Sequence, residues 1–61
     1  MNKWVTFTYL VPDERSDTRT VTIPFKDFRD WSSTVAYYVE GRGAVGVLKS
    51  DIVGEVVMWS K

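Results

Sequence analysis

The chain contains no cysteine and no histidine. Disulfides are thereby excluded, as are zinc sites built from Cys and His. Neither a Cys-His pair nor a Ser-His-acid triad can be assembled, so Ser32, Ser33, Ser50 and Ser60 have no base to activate them. Net charge is also missing: eight Lys and Arg balance eight Asp and Glu. The basic excess of a nucleic-acid binder is absent, and so is the acidic excess of a DNA mimic. No apolar run approaches the roughly 18 residues of a membrane-spanning helix. The first residues, Met-Asn-Lys-Trp-Val-Thr, alternate polar and apolar and hold no apolar signal core. A cytoplasmic setting is the expectation, with which the lack of cysteine is compatible.

What the chain does have is aromatic mass: three Trp, three Tyr and three Phe in 61 residues. That length is enough for one small domain, 1–61, which buries only about 60% of the surface its unfolded chain exposes. Aromatic side chains bury about 150–250 Å² each and let a short chain build a core.

Lys3 to Val11 reads KWVTFTYLV. Val5, Phe7, Tyr9 and Val11 share one face; Trp4, Thr6, Thr8 and Leu10 share the other, the period-two signature of a strand. Pro12 to Arg19 reads as a polar loop, and Thr20 to Phe25 as a second strand limited by Pro24. An antiparallel hairpin with a long tip is expected. In Lys26 to Glu40, Phe28, Trp31, Val35 and Tyr38 or Val39 recur at helical spacing, with Asp27 and Asp30 suited to the first turn. The helix is the first reading. Ser32-Ser33-Thr34-Val35 is poor helix material, and the alternative makes Ser33 to Val39 a strand that turns through Glu-Gly-Arg-Gly into Ala44 to Leu48. Ser50-Asp51 signals a turn, Gly54 a bulge or turn, and Glu55 to Trp59 a last strand. Residues 44 to 59 are either two strands or one bulged strand.

The first reading is therefore α+β: a β-hairpin, one helix, then one or two strands in a small antiparallel sheet. The alternative is an all-β, five-stranded small barrel. The expected core is Val5, Phe7, Tyr9, Val21, Ile23, Phe28, Val35, Val47, Val56 and Met58.

Gly41-Arg-Gly43-Ala-Val-Gly46 has the G-x-G-x-x-G spacing of a dinucleotide loop. That loop needs a preceding strand, a following helix and an acid about 20 residues on. Only 15 residues follow Gly46, and Val-Leu-Lys-Ser-Asp-Ile is poor helix material. The glycines read instead as turn residues (Gly41, Gly43) and as a close backbone approach in a strand (Gly46). No cofactor is expected. The carboxylates have structural uses, and so small a fold leaves little room for a pocket of about 300–1,000 Å³. A calcium loop built on Asp13, Glu14 and Asp17 lacks the required spacing. No enzyme and no metal site is expected.

Binding is the remaining mode. Trp4 and Trp59 fall on outer strands; if the terminal strands pair, the two form one apolar patch. With Tyr37 and Arg42 they are the residue types that dominate interface hot spots. The charged loop, including Asp13, Glu14 and Arg15, would give orientation and on-rate. The function expected is a small protein-protein interaction module. In size and style the chain resembles the compact proteins that phages and mobile elements use to inhibit or redirect a host protein; no motif carries that likeness. The alternatives are a single-stranded nucleic-acid binder using Trp31, Tyr37, Tyr38 and Arg42 as a stacking platform, and a homodimer whose tryptophans meet.

Overall fold

The structure is a computed structural model and describes residues 2–11 and 13–60. It is all-β. Six strands, β1 (Lys3–Val11), β2 (Glu14–Pro24), β3 (Phe28–Asp30), β4 (Thr34–Val39), β5 (Gly43–Leu48) and β6 (Ile52–Ser60), form two three-stranded antiparallel sheets. The first sheet has the order β2-β1-β6 and the second β3-β4-β5. Single 3-10 turns, Phe25–Asp27 and Lys49–Asp51, carry the chain from one sheet to the other. The two sheets do not close into a barrel.

The α+β expectation is thus overturned, and the five-stranded barrel is not formed either. The expected helix is replaced by a 3-10 turn, β3, a bend at Ser32–Ser33, and β4. The reason lies in two coincident periods. Phe28 and Val35 are seven apart and both are buried, which satisfies a helical stripe. They also satisfy a hairpin, in which Phe28 pairs with Tyr37 and Asp30 with Val35. Trp31, which the helix needs inward, is 57% exposed. Thr34, Val35, Tyr37, Tyr38 and Val39 are β-branched or aromatic and favour the pleated surface. Asp27 and Asp30 cap nothing: Asp27 closes a 3-10 turn, and Asp30 pairs with Lys49 at 2.6 Å.

The hairpin also differs from its expected form. The polar stretch read as a loop is mostly strand, since β2 begins at Glu14. An edge strand needs only backbone groups to pair. Thr18 to Thr20 are accordingly exposed although they pair with Leu10, Tyr9 and Thr8, and the register slips between Leu10 and Val11, so that Ser16 and Asp17 fall within the irregularity. Pro12 lies outside the described residues.

The core lies between the sheets and holds Val5, Phe7, Tyr9, Val21, Ile23, Phe28, Val35, Tyr37 and Val47. Phe7 is its centre, with ring centroids 6.0 Å from Tyr9, 6.0 Å from Phe28 and 5.8 Å from Tyr37. Such tilted and edge-on pairs add about 0.5–1.5 kcal/mol each beyond area burial. The expected core needs two corrections. Val56 is only partly buried and Met58 is 57% exposed, because β6 is an edge strand. Tyr37 takes an inner place instead, where its hydroxyl meets that of Tyr9 at 2.9 Å.

The glycine stretch is a hairpin turn. Arg42 N–H donates to the Val39 carbonyl at 3.0 Å, and Gly41 sits third in that turn at φ +87°. A type II turn requires a positive φ there. Gly46, expected to mark a close approach, does not: a Cβ would meet Thr34 Cγ2 at an ordinary 3.8 Å.

Candidate functional site

β1 alternates strictly, so its outward residues Trp4, Thr6, Thr8 and Leu10 form one row on the face away from the core. Cross-strand register sets their neighbours. Trp4 lies between Pro24 and Trp59, Thr6 between Thr22 and Val57, and Thr8 between Thr20 and Val53. None of these paired positions carries a charged residue. Trp59, Val57 and Val53 are 39%, 51% and 49% exposed. The paired positions of the outer face are therefore uncharged, with threonines on one side and apolar side chains on the other; Glu55, exposed within the β6 bulge and in phase with Val53 and Val57, is the charged residue of that strand.

The plane is stiffened by its own polar groups. Trp4 and Trp59 stack with centroids 5.9 Å apart and planes 18° from parallel. Trp59 Nε1–H donates to Thr6 Oγ1 at 2.9 Å, and that hydroxyl is also bonded to Thr22 Oγ1 at 3.0 Å. Thr8 and Thr20 repeat the hydroxyl pair at 2.9 Å. Cross-strand Thr pairs of this kind contribute roughly 0.2–1 kcal/mol each. Trp4 Nε1 is buried and has no partner.

Two hollows adjoin the tryptophans. One, of about 250 Å³, is lined by Lys3, Phe25, Met58, Trp59 and Ser60. The other, of about 450 Å³, is lined by Asn2, Lys3, Trp4, Pro24, Phe25 and Lys26. Phe25, 43% exposed at the 3-10 turn, lines both, as does Lys3. These volumes correct the expectation that the fold leaves little room for pockets; the room comes from open grooves beside edge strands.

The expected contact residues are scattered by the fold. Trp4 and Trp59 are brought together because β1 and β6 pair. Tyr37 is removed from any contact surface: it is 5% exposed and belongs to the core, while its neighbour Tyr38, on the opposite side of β4, is 52% exposed. Strand alternation forces that choice, whereas a helix leaves it open. Arg42 is exposed, in the β4-β5 turn of the other sheet. Asp13 is exposed where β1 passes into β2, seven residues along β1 from Trp4 when counted to Val11, or about 23 Å at the rise of a strand. Glu14 and Arg15 begin β2, and their side chains lie outside the described residues.

The stacking platform changes as well. Trp31 and Tyr38 line one groove of about 330 Å³ on the second sheet, together with Lys26, Asp27, Arg29 and Ala44. Tyr37 borders it although it is almost wholly buried, and Arg42 is not among its lining residues. Two donations from Arg29 Nη1, to the Lys26 and Phe28 carbonyls at 2.9 Å each, fasten that side chain to the preceding 3-10 turn and to its own strand.

The threonine rungs, Phe25, Val53 and Val57 were not expected at a contact surface, and Met58 was expected in the core. The signal for the rungs was present: Thr6-x-Thr8 and Thr20-x-Thr22 are in phase with Trp4. Among the described residues no group of three Asp or Glu side chains could hold a metal ion, and no helix is long and apolar enough to cross a membrane. Compared with models of known protein families, with curated proteins and with solved structures, the chain matches none.

Proposed function

We propose that this chain is a non-enzymatic protein-binding module that docks a partner protein on the outer face of β2-β1-β6. The observation that carries the reading is the Trp4-Trp59 stack with uncharged residues at every cross-strand position beside Trp4, Thr6 and Thr8. Interface centres are depleted in charge and enriched in Trp, Tyr and Met, with hot spots in desolvated, well-packed positions. A tryptophan held by both a stack and a hydrogen bond loses little side-chain entropy on binding. A protein that acts by covering a partner's surface, as an inhibitor or modulator does, needs no more chemistry than this.

The nucleic-acid reading is less well supported. Stacking platforms work with basic grooves, whereas the segment beside Trp31 alternates in sign through Lys26, Asp27, Arg29 and Asp30.

Affinity capture from a nuclease-treated lysate of the source organism tests the proposal. A partner protein is expected with the native chain and lost with Trp59→Ala, which at a hot spot costs about 2 kcal/mol, or roughly thirtyfold in affinity. Retention by Trp59→Ala, or dependence on nucleic acid, would count against it.

A further inference from the structure

The two sheets leave one side of the sandwich open. β6 is paired with β1 alone and β3 with β4 alone, so each has a free edge. Between them runs a groove of about 610 Å³, with Phe28 and Asp30 of β3 on one wall and Ile52, Gly54, Val56 and Met58 of β6 on the other. Val35 of the core also lines it. The bulge in β6 shapes this opening: three residues, Gly54 to Val56, span the interval between Val53 and Val57, opposite the single residue Phe7. Gly54, at φ +76°, leaves open space where a side chain would project.

We propose that this groove takes an extended segment of a partner protein, added as a strand between β6 and β3; the proposal rests on the protein-binding reading above. A free strand edge offers alternating N–H and C=O groups, and only another polypeptide backbone presents the matching ladder. The apolar lining then selects the segment's side chains, since every second residue of a strand turns to the same face. A lipid or small apolar ligand would fill the groove and leave both edges unsatisfied.

Charge narrows the choice further. Asp30 and Lys49 at the groove neutralise each other. Glu55 is exposed on β6 and has no ion-pair partner among the described residues. The segment is therefore apolar at alternate positions, with a Lys or Arg where it passes Glu55. A second copy of β6 does not meet this description: Ile52–Ser60 contains no cation, and each copy would bring its own Glu55. Met58 lines both this groove and the hollow beside Trp59, so the segment continues onto the docking face.

The test is selection of random dodecapeptides displayed on phage against the immobilised native chain, followed by amide chemical-shift mapping with a synthetic copy of the enriched peptide. Enriched peptides are expected to alternate apolar residues, to carry Lys or Arg, and to shift the amides of Ile52–Ser60 and Phe28–Asp30. Met58→Asp is expected to weaken them by about tenfold or more. Glu55→Lys is expected to exchange the preference for basic residues for one for acidic residues. Both positions are exposed, and the variants' amide spectra confirm the fold. Failure to enrich any alternating peptide overturns the proposal. Peptides that shift only Trp4, Thr6 and Thr22 overturn it too, while leaving the outer-face reading standing. A concentration-dependent dimer that protects β6 amides without peptide overturns it in favour of a second copy.

Discussion

The paired hydroxyls of Tyr9 and Tyr37 are the polar group most deeply committed to the core. Burial raises the Tyr37 phenol above its ordinary value, the Tyr9 hydrogen bond and charge act in the same direction, and Arg19 pulls the other way. A raised folded-state value means that the folded protein holds this proton more tightly than the unfolded chain. The contribution is therefore intact below the unfolded phenol's range, near pH 10, and is lost as pH climbs from there through the folded value. Urea melts between pH 7 and 11 should show stability falling at the alkaline end, and the part due to Tyr37 should vanish in Tyr37→Phe. That variant leaves the Tyr9 hydroxyl unpaired at a cost of about 1–3 kcal/mol, whereas Tyr9→Phe with Tyr37→Phe should recover most of the loss. The two stacked tryptophans should also respond differently. Trp4→Phe removes a buried donor that has no partner and should leave stability unchanged or raise it. Trp59→Phe breaks the bond to Thr6 and should cost about 0.5–1.5 kcal/mol. Thermal melts of the two single variants decide this.

At the scale of elements, β1 was fully legible because Trp4 to Leu10 alternate without exception, half-buried and buried in turn. β4 was legible only as the alternative, a strand over Ser33 to Val39 turning into Ala44 to Leu48, and of its buried residues only Val35 was expected inside: Val35 fits both a helical stripe and a strand face, and the deciding partners, Phe28 across from Tyr37 and Val47 across from Val35, come from pairings that one segment cannot reveal. The start of β2 was hidden for another reason, since the Glu-Arg-Ser-Asp composition of its first residues resembles a loop, and the pairing of Glu14 with Val11 lies beyond a register slip that no local pattern announces. The pairing of Trp4 with Trp59 could be stated as conditional on β1 meeting β6. The groove could not be anticipated, because it depends on which edges remain free. The bulge at Gly54 was signalled by the glycine and carries its own prediction. No atom crowds that position, so the cost of Gly54→Ala is conformational alone, about 1–2 kcal/mol for a left-handed residue with a Cβ. Denaturant melts should show that loss, and amide exchange should quicken within Ile52–Ser60 more than within Thr34–Val39.

Across the whole molecule, the open sandwich is visible in its dimensions. The radius of gyration is 11.4 Å, slightly above the about 10.5 Å expected of a compact chain of this length. Among the described residues, four of the eight exposed large apolar side chains, Val53, Val57, Met58 and Trp59, lie on the single strand β6. The core has little to spare: a chain this short draws only about 3–5 kcal/mol from one unstapled core. Phe7→Ala, at about 3–5 kcal/mol, should therefore unfold the protein outright, as circular dichroism would report. Apolar exposure on β6 that adds nothing to so thin a core fits a surface kept for a partner. The most direct measurement is the dissociation constant of the partner protein for the native chain, for Val57→Lys on the outer face of β1-β6, and for Leu48→Lys on β5, both being exposed positions at which a lysine leaves the core untouched. The expected result is a loss of roughly thirtyfold or more for Val57→Lys, about 2 kcal/mol, with Leu48→Lys within about twofold of the native chain. Equal affinities for the native chain and Val57→Lys would contradict the assignment of the Trp4-Trp59 face as the docking surface.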